Sequence, residues 1–255
     1  MDDRNFCIAG EIEILPIRWS GTPPADDGLS GRLLSAIGES GVTLAQHDIA
    51  VVHARVVSMA EGRRVALDSI EPSPAAARMA AAVRRDPRVV ELVLRESRQV
   101  VRMDHHVFLV ENRHGLVCPD GGITAEPNGH AVLLLPNDPD ASAERLRVDL
   151  ETASRRSLAV VVSAGFIRAR RAGAVHVAIG CSGIEPMRIY AGMRDPYGWN
   201  PVGSGLCVVD EISSAAALAT QDEPGVGAAV VRGYAFEPGS NNARAIPSAD
   251  ITRFG

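Results

Sequence analysis

The sequence predicts a mixed α/β (α+β) fold in one compact unit. Segments with strand character alternate with segments of helical periodicity along the 255-residue chain. Hydrophobic residues make up 46% of the chain and charged residues 22%, as in globular proteins with a buried core. The sequence contains no internal repeat, low-complexity tract or linker that would divide it.

The predicted elements follow from short apolar runs, helical periodicity and the turn residues between them. Strands are predicted over Ile12–Ile17, Ile49–Val57, Val107–Glu111, Leu116–Cys118, Ala131–Leu135, Leu158–Ser163, Ala174–Gly180 and Gly227–Gly233. Helices are predicted over Leu29–Ile37, Pro74–Ala82, from Pro87 onward, over Pro139–Leu150 and over Asp210–Thr220. Ser73-Pro74 and Asp86-Pro87 each place an N-cap residue before a proline at the first helical position. After Glu237 neither pattern continues, which predicts a loop-like tail.

Charge, apolar run length and cysteine spacing exclude several classes of protein. A net charge of −5 argues against a general nucleic-acid binder. The longest apolar run is strand-length, well short of the roughly 18 residues of a membrane span, and the acidic start Met1-Asp2-Asp3 does not resemble a targeting signal. The four cysteines form no CxxC or zinc pattern, so we expect reduced thiols in a cytoplasmic protein.

The chain has no lysine, so all 26 basic residues are arginine. A GC-rich genome accounts for this bias most simply. It excludes a phosphate-binding lysine, a Schiff-base lysine and a lysine general base. Any bound anion must therefore be held by arginine, backbone N–H groups or a metal ion.

Several segments in fixed order resemble the coenzyme F420 gamma-glutamyl ligase family over residues 11–236, leaving residues 237–255 as a C-terminal tail. They are residues 57–63 (VSMAEGR), 86–97 (DPRVVELVLRES), 113–118 (RHGLVC), 133–143 (LLLPNDPDASA), 177–180 (VAIG) and 195–198 (DPYG). The resemblance implies an unusual mixed α/β fold in two subdomains and a homodimer. It also implies an activity that joins L-glutamate to the lactyl-phosphate tail of a deazaflavin through an amide bond, driven by GTP with divalent metal ions.

This sequence departs from the family at the positions that the resemblance implies for metal and nucleotide. The metal-binding Asp of an NAGIDxSN-like motif aligns with Thr124, and the Asp and Thr of an SDTFGRPWR-like motif align with Ala164 and Gly165. The Glu of an MGExxG-like segment falls on Gln221, and the lysine of SKAEGR is Met59. Hard divalent cations prefer carboxylate oxygens. We therefore expect no cofactor, and GTP with Mg²⁺ or Mn²⁺ only if the site has been rebuilt.

A rebuilt metal site would need carboxylates close to the lost ones. Asp120, Glu126 and Asp222 are the residues that a local shift could recruit. Adjacent His105 and His106 follow Asp104, but neighbours on a strand point to opposite faces, so a polar strand edge is favoured over a metal site.

The remaining cations and polar residues near these motifs are candidates for binding an acidic substrate. They are Arg168, Arg171, Arg55, Ser58 and Asp120 as substrate or anion contacts, with Thr22, Pro23 and Pro24 in the loop that the resemblance implies for the nucleotide base. His114 and Cys118 match family segments and are interpreted as a structural hydrogen-bonding residue and a small buried residue. A cysteine nucleophile at Cys118 is the weaker alternative.

Three functions remain open. The first is a repurposed amide-forming enzyme of specialised metabolism that uses the old cleft on a small acidic substrate without metal. The second is a non-catalytic subunit that pairs with an active relative, as a heterodimer rather than a homodimer. The third is a GTP-dependent gamma-glutamyl ligase with a relocated metal site. No nucleic-acid or membrane partner is expected.

Overall fold

The computed structural model describes residues 10–19, 21, 28–104, 107–168, 171–190, 194, 197, 205–220 and 226–246. Its α-helices are α1 (Gly28–Glu39), α2 (Ala54–Ala60), α3 (Pro74–Val83), α4 (Pro87–Arg95), α5 (Pro139–Ser154) and α6 (Val208–Thr220). Its longer strands are β1 (Glu13–Arg18), β2 (Ile49–His53), β4 (Ser97–Asp104), β5 (Val107–Asn112), β9 (Ala159–Arg168), β10 (Arg171–Ser182) and β13 (Val226–Arg232). Short strands are β3 (Arg64–Ala66), β6 (Val117–Pro119), β7 (Thr124–Ala125), β8 (Ala131–Leu133), β11 (Met187–Ile189) and β12 (Gly205–Cys207). The predicted mixed α+β class is confirmed.

A five-stranded sheet in the order β1-β13-β2-β9-β10 forms the centre of the fold. The β2–β9 pair is parallel and the other pairs are antiparallel. β2 and the first half of β9 are apolar on both faces, as expected for strands covered on both sides. One face packs against α1, α2 and α5, and the other packs against α6 and residues of the C-terminal segment.

A second region surrounds two three-stranded sheets, β3-β8-β7 and β4-β5-β6. Helices α3 and α4 bury Ala80, Val90 and Val93 against Phe108 and Val110 of β5. The N-caps Ser73 and Asp86 accept hydrogen bonds from Ala76 N and Arg88 N respectively, as their position before proline predicts. This region therefore has an apolar core of its own beside the central sheet.

Strand β10 is an edge strand of the central sheet, and side chains rather than another strand occupy part of its outer edge. Asp210 Oδ1 accepts a hydrogen bond from Ala178 N at 2.9 Å, and Asp140 Oδ1 accepts one from Cys181 N at 2.9 Å. Asp140 lies in the first turn of α5, and a Cβ added at Gly180 would come within 2.3 Å of the Pro139 backbone. Glycine at 180 therefore allows α5 to begin directly against the sheet.

Two predicted strands differ from the observed ones next to the site, and one strand was not predicted. The strand predicted over Ile49–Val57 ends at His53, where the ring accepts from Arg55 N and caps α2, so the β-branched residues 56–57 are helical. The strand predicted over Leu158–Ser163 continues to Arg168, because pairing with β10 extends it. Strand β4 was missed because its charged, exposed residues lack an alternating pattern.

The segment after Glu237 packs on the body of the fold. Arg244 forms an ion pair with Asp138 at 2.7 Å, and Ala243 N donates to Asp140 Oδ1 at 2.9 Å. Ile246 packs against the α6 side of the core. The described part of the predicted tail is thus held at the start of α5. Among the described residues, no helix has both the length and the apolar character to cross a membrane.

Candidate functional site

A pocket of about 130 Å³ opens beside β9 at the point where its parallel neighbour β2 ends. His53, the last residue of β2, is paired with Ser163, so β2 does not extend along residues 164–166 of β9. The polar or small residues around the space are His53, Arg55, Ser58, Gly122, Thr124, Ala164, Gly165 and His176. Leu133, Leu134, Leu135 and Phe166 supply the apolar wall. Carboxyl ends of parallel strands are a common place for ligands in α/β sheets.

The pocket brings together residues that the sequence analysis singled out from three distant segments. Arg55 and Ser58 come from α2, Thr124 from β7, and Ala164 and Gly165 from β9. The Arg55 side chain is exposed and forms no ion pair with any described residue, whereas Ser58 is buried. Arg55 is therefore a cation at the pocket mouth that remains available to an anion.

The His176 ring covers Gly165. His176 lies opposite Gly165 in the β9–β10 hairpin, and a Cβ built on Gly165 would be 2.9 Å from His176 Nε2 and 3.1 Å from Cδ2. A threonine at 165, as in the family motif, would collide with this ring. The ring is held from behind by a 3.2 Å hydrogen bond between Nδ1 and Ser163 Oγ.

His53 and His176 form an edge-to-face ring pair, with centroids 5.0 Å apart and an interplanar angle of 73°. Burial, with help from the charges of His176 and Arg55, lowers the pKa of His53 to about 4. Burial and the Arg55 charge also lower the pKa of His176. Both rings are therefore neutral near pH 7.

The residues of this pocket do not fit a Mg²⁺ or Mn²⁺ ion. Its described lining contains no carboxylate and includes the arginine Arg55. His53 Nδ1 accepts from the Arg55 backbone N–H at 3.3 Å, which places the ring proton on Nε2 and makes that nitrogen a donor rather than a metal ligand. No group of three or more His, Cys, Asp or Glu residues with metal-binding geometry occurs in the part of the chain that the structure describes.

The carboxylates considered for a rebuilt site are engaged elsewhere. Glu126 Oε1 is 2.6 Å from Arg64 Nε, and Asp120 Oδ2 is 3.3 Å from Arg85 Nη2. Neither acid lines the pocket. Burial raises the pKa of Asp120 against the opposing effect of Arg85, and its Oδ1 is buried without a partner.

The backbones of Arg168 and Arg171 pair with each other where β9 ends and β10 begins. Arg168 is four residues beyond Ala164, about 13 Å along an extended strand. The strand predicted over Leu158–Ser163 continues through Arg168, which separates the two arginines from Ala164 and Gly165 along the chain. Their side chains, together with Thr22, Pro23, Pro24, His105, His106, Gln221 and Asp222, lie outside the described part of the structure.

A larger cavity of about 880 Å³ is lined in part by His114 and Cys118, which the sequence also singled out. Burial raises the pKa of the Cys118 thiol to about 12, and Asn112 Nδ2 contacts its sulfur at 3.8 Å, which favours the small buried residue over the nucleophile. The backbone N–H of His114 donates to Asn112 Oδ1 at 3.0 Å, but its ring Nε2 is buried without a partner. Phe166 lines both cavities.

Sequence reasoning missed the histidine pair. His53 was assigned to the middle of a strand, and His176 lies directly before the 177–180 segment (VAIG), outside the residues that the resemblance picks out. No local pattern gives this contact. The register shift between Arg171 and Ala174 brings position 176 opposite position 165, whereas the Arg171–Arg168 pair extended without that shift would bring it opposite position 163.

Comparisons with known proteins identify the family of the chain. The family model described as F420-0:Gamma-glutamyl ligase matches residues 24–233. The coenzyme F420:L-glutamate ligase of Methanothermobacter thermautotrophicus is 39% identical over 212 residues, covering 82% of this chain and 84% of the relative. The Methanopyrus kandleri protein of the same name is 38% identical over 95% of this chain and 97% of its own length. The Archaeoglobus fulgidus protein of that name is 35% identical over 87% and 88%. The chain therefore belongs to the F420-0:gamma-glutamyl ligase family.

Proposed function

We propose that this protein is an amide-forming, ligase-type member of its family that works without the metal–GTP site. It takes an acyl donor that is already activated and joins it to an amine. The substrate is a small molecule with an acidic group. Family membership supports the amide-forming reaction class, and the pocket chemistry supports the loss of the metal and nucleotide step.

The observation that carries the proposal is the His176 ring over Gly165. The family motif implies a metal-binding threonine at this position, and the imidazole takes the space that its side chain would need. Thr124 and Ala164, where the motifs imply aspartates, line the same pocket. The pocket has lost the carboxylates, and the His176 ring fills the space of the third ligand. Both changes support loss of the metal site rather than its relocation within the pocket.

Arg55 and Ser58 support an acidic substrate. The exposed guanidinium of Arg55 borders the pocket, and a charge-assisted hydrogen bond to a carboxylate or phosphate contributes about 1.5–3 kcal/mol. Arg168 and Arg171 remain proposed contacts at the hairpin end, for the part of the ligand that extends beyond the pocket.

Calorimetry with GTP in the presence of Mn²⁺ tests the proposal. We expect no binding in the low micromolar range. A dissociation constant at or below that range would overturn the loss of the site and favour a GTP-dependent ligase with relocated metal ligands.

A matched variant shows that the assay can detect a restored site. Thr124→Asp with Ala164→Asp returns two carboxylates to the pocket, and Gly165→Thr with His176→Gly makes room for the third ligand. We expect Mn²⁺ to bind this fourfold variant more tightly than the parent chain, because hard cations prefer oxygen ligands. Equal Mn²⁺ affinities would indicate that the pocket is not the former metal site.

We also propose that the chain is a homodimer, as the family resemblance implies. Sedimentation should then give about twice the 27.0 kDa chain mass. A monomer at tens of micromolar would contradict this. A stable complex with an intact relative, in place of the homodimer, would instead favour a non-catalytic partner subunit.

A further inference from the structure

Three polar side chains meet on the α6 face of the central sheet, next to the pocket. His53 on β2 is paired with Ser163 on β9, and His176 on β10 lies opposite Gly165. Because strand residues alternate between faces, these registers place His53, Ser163 and His176 on the same side of the sheet. Their apolar neighbours on that side, such as Val51 and Val161, belong to the α6 core.

Ser163 and His176 differ in their access to the pocket. Ser163 is 2% exposed and is not part of the pocket lining, whereas His176 is half-buried and lines it. The serine therefore lies behind the ring, 3.2 Å from Nδ1, and the Nε2 edge is directed over Gly165. This arrangement resembles a base oriented by a buried hydrogen-bond partner.

His53 has a complementary role because its tautomer is fixed. A backbone N–H can only donate, so the contact from Arg55 N to His53 Nδ1 requires a bare Nδ1 and an Nε2–H. His53 can therefore donate a hydrogen bond from Nε2, next to the His176 ring whose Nε2 edge lies over Gly165. Two neutral imidazoles and one free guanidinium then surround a space of about 130 Å³.

We propose that His176 is the general base of the amide-forming step, with Ser163 as its positioning residue and His53 as a hydrogen-bond donor to the acyl oxygen. The inference rests on the proposed function. The two substrates of the step are a primary amine and an acyl donor with a good leaving group, such as an acyl phosphate. In this proposal the proton of the 3.2 Å contact between Ser163 Oγ and His176 Nδ1 is on Nδ1, so the serine oxygen accepts and the Nε2 lone pair faces the substrate.

The step balances without a metal. The neutral amine nitrogen attacks the acyl carbon, a C–N bond forms, and His176 Nε2 takes the proton that the nitrogen loses. The bond from the acyl carbon to the phosphate oxygen then breaks, and the phosphate leaves with the electron pair. The imidazolium returns its proton to the departing phosphate or to solvent. Arg55 stabilises the negative charge of the leaving group.

The lowered pKa of His176 agrees with this role. Burial and Arg55 keep the ring neutral near pH 7, so the base is already in its active form. The same Arg55 charge would oppose a resident imidazolium, which favours release of the proton after the step.

Imidazole tautomers measured by long-range ¹H–¹⁵N NMR test the inference on the full chain at neutral pH. The signals of the two rings are assigned with His53→Gln and His176→Gln. We expect Nδ1–H on His176 and Nε2–H on His53. An Nε2–H tautomer on His176 in the parent chain would overturn the proposal, because the pocket would then face a donor.

Two serine variants separate positioning from folding. Ser163→Ala should remove the tautomer preference of His176, and Ser163→Thr, which keeps a hydroxyl, should restore it. Ser213→Ala is the matched control, since Ser213 is a fully buried serine on α6. It should leave the His176 signals unchanged. If Ser163→Ala also leaves them unchanged, Ser163 is not the positioning residue.

Modification by diethyl pyrocarbonate, read residue by residue by mass spectrometry, tests access to the pocket. The reagent is attacked by an unprotonated imidazole nitrogen, which makes it a probe for a free lone pair. His130 is exposed and serves as the positive control. We expect carbethoxylation of His176 but not of His53. If His130 reacts and His176 does not, Nε2 is closed to substrate and the inference fails.

These results are independent of the proposed function as a whole. Tight GTP binding with Mn²⁺ would refute the loss of the metal–GTP site whatever tautomer His176 adopts. An Nε2–H tautomer with no GTP binding would refute only the base.

Discussion

Substitution of Gly165 by alanine measures how tightly His176 closes the pocket. The new Cβ would be 2.9 Å from His176 Nε2 and 3.1 Å from Cδ2, against an ordinary contact of about 3.5–4.0 Å, so the ring must move by about 0.6 Å or more. Gly165 is not among the glycines with positive φ, so the backbone accepts alanine without strain.

The expected magnitude is the sum of three effects. Overpacking costs about 1–3 kcal/mol. Weakening the hydrogen bond between Ser163 and His176 costs about 1 kcal/mol. Loss of glycine freedom in the unfolded chain returns about 0.4–1 kcal/mol. We therefore expect Gly165→Ala to lower the free energy of unfolding by about 2 kcal/mol, or the Tm by roughly 4–8 °C for a chain of this size.

Urea denaturation of a double-mutant cycle with His176→Ala is the decisive assay. Without the ring, Gly165→Ala should cost nothing and stabilise slightly, which gives a coupling energy of about 2 kcal/mol. Gly31→Ala in α1 is the matched control: no atom lies within 4 Å of its Cβ, and a helical Gly→Ala change stabilises by about 0.5–1 kcal/mol. An equal cost of Gly165→Ala with and without the His176 ring would refute the steric reasoning.

Three further predictions follow from buried polar groups. The pKa of His53, lowered from 6.5 to about 4, means that the unfolded chain binds a proton before the folded chain does. The contribution of this residue to the free energy of unfolding is thus complete above pH 6.5 and falls by about 3 kcal/mol as the pH drops toward 4. His53→Gln should flatten the dependence of the free energy of unfolding on pH, and an unchanged dependence would contradict the shift. Arg232→Ala should destabilise by about 3 kcal/mol in urea, because Asp48 is 1% exposed and loses its 2.7 Å ion pair; a cost below about 1 kcal/mol would indicate that water replaces Arg232. Ser213→Ala should leave stability unchanged or raise it by up to about 1 kcal/mol, since its hydroxyl is buried without a partner; a clear loss in thermal unfolding would reveal a hydrogen bond.

Much of the fold follows from local signals. N-caps before proline placed α3 and α4 correctly, and apolar runs identified the strands β2, β9 and β13, which the structure shows in the centre of the sheet. The start of α2 could not be found this way. Val56 and Val57 favour a strand by propensity, whereas the structure has a helix there that begins at the cap made by His53 with Arg55 N.

The sequence predicted which chain positions line the pocket, but not that two histidines would be its titratable groups. Motif alignment led to Thr124, Ala164 and Gly165, and the structure brings these residues to one pocket. His176 shares no motif with them and reaches Gly165 only through the register of a hairpin whose length was underestimated. A contact of this kind depends on strand pairing between distant residues, which local patterns do not encode.

The carboxylates that bind the outer edge of β10 also bear on the solubility and assembly of the protein. An edge strand with free N–H groups can recruit a strand from another molecule and begin aggregation. Asp210 and Asp140 occupy the N–H groups of Ala178 and Cys181, so this stretch offers a second molecule neither free donors nor a neutral surface. Two copies of the chain that meet at the Ala178–Cys181 stretch of β10 therefore do so through side chains, and not by continuing the sheet from one copy to the next.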